Sequence, residues 1–245
     1  MDDKTMGILD HLDEFRRRLI VVLIVFVIFT IIGFIFVEDI YQYLIKDLNE
    51  NLSVLSPTEI LGFYFKIATV FGIAFTIPTI AYEFWAFVKP GLYEHERKAA
   101  LPYIPGFFIF FIGGLVFGFF VIFPLIMRFL SNLGENMFIE MYTTEKYFSF
   151  VLNMSVPFGF LFEMPLIIMF LTSIGMINPY QLGKMRKYAY FILIVIAVTL
   201  SPPDFISDLV IAAPLLLLFE ISVNIAKIVY RLKLRKEKKE AEKIL

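Results

Sequence analysis

The 245-residue chain is 59% hydrophobic and 18% aromatic, with 30 Phe, whereas a soluble globular chain holds roughly 45–50% apolar residues. Water alone is therefore excluded as its solvent. Its formal net charge of −1 conceals a sided distribution of charges, and its lack of cysteine excludes disulfides, thiol catalysis, Cys-based zinc sites and iron–sulfur clusters.

In chain order, Met1 to Arg18 is charged and amphipathic without a small-residue cleavage site, so it is expected to remain in the mature protein. Leu19 to Val37 follows with 19 residues free of charge, close to the ~20 that an α-helix needs to cross ~30 Å of hydrocarbon. Glu38 to about Thr58 reads as an ordered extramembrane loop that mixes the amphipathic Ile40 to Ile45 with Asn49, Asn51, Ser56 and Pro57. A second span is expected over 67–85, with Phe84 and Trp85 as interfacial aromatics, and Lys89 to Lys98 returns to water. Ala99 to Met127 is charge-free and holds a third span at 102–125, after which Arg128 to Lys146 reads as a polar loop. The fourth span, 149–174, contains one acid, Glu163, and spans five and six, 188–203 and 209–226, meet at Pro202-Pro203-Asp204. Lys227 to Leu245 is basic and polar and is expected to fray, with 231–245 lying beyond the transmembrane domain as a basic cytoplasmic tail.

Pro78, Pro157, Pro165 and Pro214 fall within spans and predict bent helices. The expected fold is all-α: one transmembrane domain over 1–230, six bent helices in a curved, concave bundle. Of the 22 Lys and Arg, 18 fall on the N-terminal side and 3 on the other, with Lys66 at a boundary. By the positive-inside rule both termini face the cytoplasm. After its two prolines are discounted, the fifth span keeps about 14 residues, ~21 Å at 1.5 Å per residue. The apolar part of the sixth ends at Phe219, before Glu220. The pair is therefore expected to thin the bilayer locally or to admit water.

Two cytoplasmic stretches and one buried acid stand out. The first is His11-Leu12-Asp13-Glu14-Phe15-Arg16-Arg17-Arg18-Leu19, where Asp13–Arg17 and Glu14–Arg18 suit i,i+4 pairing. The second runs from Trp85-Ala86-Phe87-Val88-Lys89-Pro90-Gly91 to Leu92-Tyr93-Glu94-His95-Glu96-Arg97. It combines a turn with carboxylates at the membrane surface. Glu163 is costly in hydrocarbon, by roughly 2.5–3.5 kcal/mol on insertion scales, so it is expected to meet a cavity or a partner helix. Gly159 and Pro165 flank it. Ser201, Asp204 and Asp208 surround the outer turn, where capping and solvation are their ordinary work. His11 and His95, the only histidines, lie beside acids and suit hydrogen bonding better than haem ligation.

With Phe158-Gly159-Phe160-Leu161-Phe162-Glu163-Met164-Pro165 and Ser201-Pro202-Pro203-Asp204, these stretches resemble the TatC family, the polytopic receptor component of the twin-arginine protein translocase. The resemblance runs from about Leu9 to Tyr230. It implies a receptor for twin-arginine signal peptides at the cytoplasmic face, driven by the proton motive force. It also implies assembly with single-span TatA/TatB-type subunits, other copies of itself and membrane lipid, in a bacterial or archaeal cytoplasmic membrane. Neither a cofactor nor a nucleic acid is implied. Glu14 and Glu96 match the family's acidic positions, and two carboxylates suit two guanidinium forks. Arg16 is assigned an orienting role towards Glu14, and Phe87 an apolar contact with the peptide. Partner docking falls to Ser201, Asp204 and Asp208, although Asp208 stands where many relatives carry an amide.

A proton-coupled secondary transporter using Glu163 is the competing function. One lone acid, no evident inverted repeat and no discontinuous helix pair oppose it. A membrane enzyme finds no paired catalytic acids, metal-ligand cluster, nucleophile elbow or phosphate-binding glycine loop.

Overall fold

The structure is a computed structural model that describes residues 8–46, 52–91, 101–134 and 141–242. Ten α-helices are described in it: α1 (Ile8–Ile35), α2 (Val37–Ile45), α3 (Pro57–Val88), α4 (Tyr103–Phe117), α5 (Phe123–Gly134), α6 (Thr144–Leu161), α7 (Met164–Ser173), α8 (Pro179–Lys184), α9 (Arg186–Leu200) and α10 (Phe205–Glu242). Among the described residues, five continuous helical stretches are long and apolar enough to cross a membrane: Leu12–Ile35, Pro57–Gly91, Tyr103–Leu133, Thr144–Ser173 and Phe205–Arg235. The remaining expected span is α9, which at 15 residues rises about 22 Å.

Local sequence sets the helix starts. Pro57 opens α3 behind Ser56, whose hydroxyl accepts the Thr58 N–H, and Thr143 accepts the Lys146 N–H at the start of α6. Helix α7 ends in a Schellman motif: the Met176 N–H reaches Leu171 O at 3.0 Å and the Gly175 N–H reaches Thr172 O at 3.1 Å. Gly175 has φ 80°, the conformation this cap requires.

Prolines act unequally. Pro78, Pro157 and Pro214 lie inside uninterrupted helices. A π turn, Gly118–Ile122, precedes Pro124 and keeps the third span continuous. Helix α5 then runs on to Gly134, so the stretch after Arg128, expected as a polar loop, begins as more than a turn of helix. Pro165 does interrupt its span. Its ring excludes a bond to the Leu161 carbonyl, and the Glu163 N–H turns instead to Phe160 O at 3.1 Å, a tighter turn between α6 and α7.

Two corrections concern the C-terminal part. The expected fraying tail continues α10 as helix to Glu242, and the sixth span is not short as a helix. What is short is its apolar portion. Glu220 pairs with Arg186 at 2.9 Å and accepts a hydrogen bond from the Tyr190 hydroxyl, which fixes one polar level across α9 and α10.

The largest core joins the third span to α6, α9 and α10 through Ile122, Phe123, Val151, Phe158, Leu193, Ile211 and Phe219. Two smaller clusters mark the ends of the bundle. At the outer end α2 packs on α3 and α6 through Val37, Phe63 and Phe148. There Ser53 also bridges Thr143, with the Thr144 N–H on Ser53 O at 2.8 Å. At the inner end Trp85, Phe170 and Ile174 gather the ends of α3 and α7 with Tyr103.

Candidate functional site

The inner ends of α1 and α3 meet. Helical periodicity places Glu14 and Arg18 one turn apart on a single face of α1, and the Arg18 guanidinium lies against Glu14, Nε to Oε1 at 3.0 Å and Nη2 to Oε1 at 2.5 Å. Its remaining nitrogen, Nη1, reaches Glu83 Oε2 on α3 at 2.8 Å. All three side chains are largely buried, at 24%, 20% and 15% exposure for Arg18, Glu14 and Glu83. A charge so placed requires a partner, because an unpaired one would cost several kcal/mol. One turn nearer the N-terminus the Phe15 ring packs edge-on against Phe87, centroids 5.8 Å apart.

The structure thus brings Glu14 and Phe87 to one corner. Arg16 is elsewhere: it pairs with Asp13 at 3.1 Å, both side chains more than 60% exposed. The orienting role towards Glu14 belongs to Arg18, since residue i+2 on a helix projects about 200° away while i+4 returns to the same face. Glu94, His95 and Glu96 lie outside the described residues, as does the His11 side chain.

Glu163 is 5% exposed, at the interruption between α6 and α7. It borders a cavity of about 320 Å³ whose other walls, including Ile77, Phe84, Phe107 and Phe170, are apolar or aromatic. Neither carboxyl oxygen meets a hydrogen-bond partner at ordinary geometry among the described residues. A Cβ at Gly159 would come within 2.8 Å of the Phe111 ring, so Gly159 lets α6 pack closely on α4.

At the outer turn the Ser207 N–H donates to Asp204 Oδ1 at 2.7 Å, capping α10. That backbone bond holds the Asp204 carboxyl below the usual carboxylate range. The Ser201 hydroxyl donates to Asp208 Oδ1 across the same turn.

Sequence reasoning missed Glu83, absorbed into the second span, and the engagement of Lys66, whose ammonium donates to Glu145 Oε1 at 2.8 Å and Ser149 Oγ at 2.7 Å. An acid at a span's inner end is a visible signal. Its partner 65 positions away is not.

The description "Sec-independent protein translocase protein (TatC)" belongs to the family model that matches residues 10–214. The chain is 49% identical over 237 residues to TatCd of Bacillus subtilis (strain 168), covering 97% of this chain and 98% of that protein. It is 37% identical over 245 residues to TatC of Aquifex aeolicus (strain VF5), covering 97% and 100%. A crystal structure of the twin arginine translocase receptor TatC matches with a TM-score of 0.76 at 37% identity, over 89% of this chain and 99% of that one.

Proposed function

Because this chain belongs to the TatC family of Sec-independent protein translocase proteins, we propose that it receives the twin-arginine signal peptides of folded cargo at the inner corner of α1 and α3, using Glu14, Phe87 and Glu96. The chain is a multi-pass core subunit of the twin-arginine translocase in the cytoplasmic membrane. The observation that supports the peptide site is the meeting of the two span ends, a buried carboxylate on one and an aromatic ring on the other. Glu96 follows five residues after Gly91, where the second span ends.

A guanidinium presents a planar fork to a carboxylate, whereas the lysine ammonium is a point charge. Charge-assisted bonds contribute roughly 1.5–3 kcal/mol each, so one aligned fork lost per arginine is enough to separate Arg-Arg from Lys-Lys. Arg16, exposed and paired with Asp13, sits on the rim, where as a cation it offers an incoming arginine no attraction and its part is to hold the neighbouring acid.

The test is binding of an Arg-Arg signal peptide and its Lys-Lys counterpart to the purified protein. The Arg-Arg peptide is expected to bind at least about tenfold more tightly, and Glu14→Ala or Glu96→Ala to erase most of that ratio. A ratio unchanged by Glu96→Ala removes Glu96 from the site.

Single-span TatA/TatB-type subunits and further copies of the chain are the proposed assembly partners, and the proton motive force the proposed energy source. Docking of those subunits at Ser201, Asp204 and Asp208 is proposed for the outward surface of the turn, whose inward polar atoms already serve the cap and the Ser201–Asp208 bond. The proton-coupled carrier built on Glu163 has no such support.

A further inference from the structure

We infer that Glu83 is a positioning residue of the signal-peptide site: by holding Arg18 it fixes the inner end of α1 on α3, and so sets where Glu14 stands relative to Phe87. This rests on the peptide-binding function proposed above and deepens it.

Burial does not supply that placement. Between Leu12 and Ile35 only Gly33 is buried, so α1 lies along α3 with nearly all of its surface turned outward. Its close approach to α3 is far from the corner, where a Cβ at Gly33 would come within 2.9 Å of the Phe71 side chain. Arg18 lies 15 residues before Gly33, ~22 Å along the helix at 1.5 Å per residue. A helix gripped at that distance can swing or turn at its inner end unless a directional contact holds it there. Apolar contact is non-directional, whereas hydrogen bonds from a guanidinium fix both distance and angle.

Two contacts join the inner ends of α1 and α3. Arg18 Nη1 meets Glu83 Oε2 at 2.8 Å, and the Phe15 ring packs on Phe87. Glu83 and Phe87 are one turn apart on α3, as Arg18 and Glu14 are on α1, so the ionic contact lies about 6 Å deeper than Glu14 and Phe87. From that depth Arg18 turns Nε and Nη2 to Glu14 Oε1. One guanidinium thus ties an acid of its own helix to an acid of the next, and Glu83, 15% exposed, is the half of the bridge that belongs to α3. It stands below the groups the peptide meets and determines how they are spaced. A recognition site must hold its groups to within about 0.5 Å. Loosening the bridge therefore costs an arginine its aligned fork, while lysine, a point charge, loses little.

The experiment measures affinity of the full-length protein in nanodiscs for a fluorescent Arg-Arg signal peptide and its Lys-Lys counterpart, across wild type, Glu83→Ala, Glu83→Gln, Glu14→Ala and the variant carrying both Glu83→Ala and Glu14→Ala. Glu83→Ala is expected to weaken Arg-Arg binding about tenfold and Lys-Lys binding by less than about threefold, collapsing the ratio between them. Glu83→Gln keeps the length of the side chain and an oxygen that accepts from Arg18, and is expected to restore most of that ratio. In the Glu14→Ala background Glu83→Ala is expected to change Arg-Arg binding by less than about threefold, because the carboxylate it positions is gone. Equal weakening of both peptides by Glu83→Ala, or a Glu83→Gln variant as impaired as Glu83→Ala, would make Glu83 a charge that the peptide itself meets and overturn the positioning role. So would the same loss in both backgrounds, or an unchanged ratio in a folded Glu83→Ala protein. Should that variant not fold, Glu83→Leu takes its place under the same expectations. A wild-type protein without Arg-Arg preference would instead defeat the proposed peptide site itself.

Discussion

Glu163, 5% exposed, borders a cavity with apolar walls, and its carboxyl group has no ordinary hydrogen-bond partner among the described residues. Burying such a group without compensation costs about 1–3 kcal/mol in protein mutational data. Glu163→Leu fills the space with apolar atoms and is expected to raise the midpoint of thermal unfolding in detergent while export of a folded cargo falls. Full export by this variant would show that the acid is only tolerated. Around it the signals divide by chemistry. Asp204 had its capping role written in its place before a helix start, and the Ser207 N–H takes that part. Arg16 did not follow expectation, because a neighbour two positions along a helix faces the other way, and Asp13 lies within reach instead.

Between elements, close approach depends on glycines. A Cβ at Gly114 would lie 2.3 Å from Phe158 O, and one at Gly118 would lie 2.5 Å from the Ser155 Cα. Both obstacles are backbone, so α6 cannot yield without moving as a unit. Gly114→Ala and Gly118→Ala are each expected to destabilise by about 1–3 kcal/mol, as overpacking does. Gly113→Ala, next to the same seam with nothing within 4 Å of its Cβ, is expected to be neutral or to stabilise by up to about 1 kcal/mol through helix propensity. Thermal unfolding of the three variants in one detergent checks the contrast, and equal effects would dismiss the seam. The α9–α10 hairpin is limited by a different device. The Arg186–Glu220 pair sets a polar level only 15 residues above the Phe205 end of α10. That matches the 15 residues of α9, so both arms offer about 22 Å of rise against ~30 Å of hydrocarbon.

For the molecule as a whole, contacts place the start of α1 with the ends of α3 and α7 at one face and α2 with the starts of α3 and α6 at the other. With 18 of 22 cationic residues on the first of these sides, that face belongs to the cytoplasm. The chain has no cysteine, so single cysteines at Asp13 and Pro203 report sidedness directly. An impermeant maleimide is expected to label Pro203→Cys from outside in intact cells and Asp13→Cys only after lysis; the reverse pattern would invert the topology. Apolar run length and the sidedness of Lys and Arg were enough, by themselves, to give the spans and their direction, because the bilayer is a solvent of known thickness and no water competes inside it. Local pattern also gave the acid in the fourth span, the short fifth span and the i,i+4 pair of Glu14 with Arg18. Only tertiary structure decided what those groups meet: Glu83 on Arg18, an apolar cavity beside Glu163, Glu145 on Lys66 and Glu220 on Arg186. Side chains from different spans become neighbours through helix packing, and residue spacing along the chain carries no record of it. At the inner corner of α1 and α3 that packing joins two single-helix patterns into one largely buried cluster of Glu14, Arg18 and Glu83.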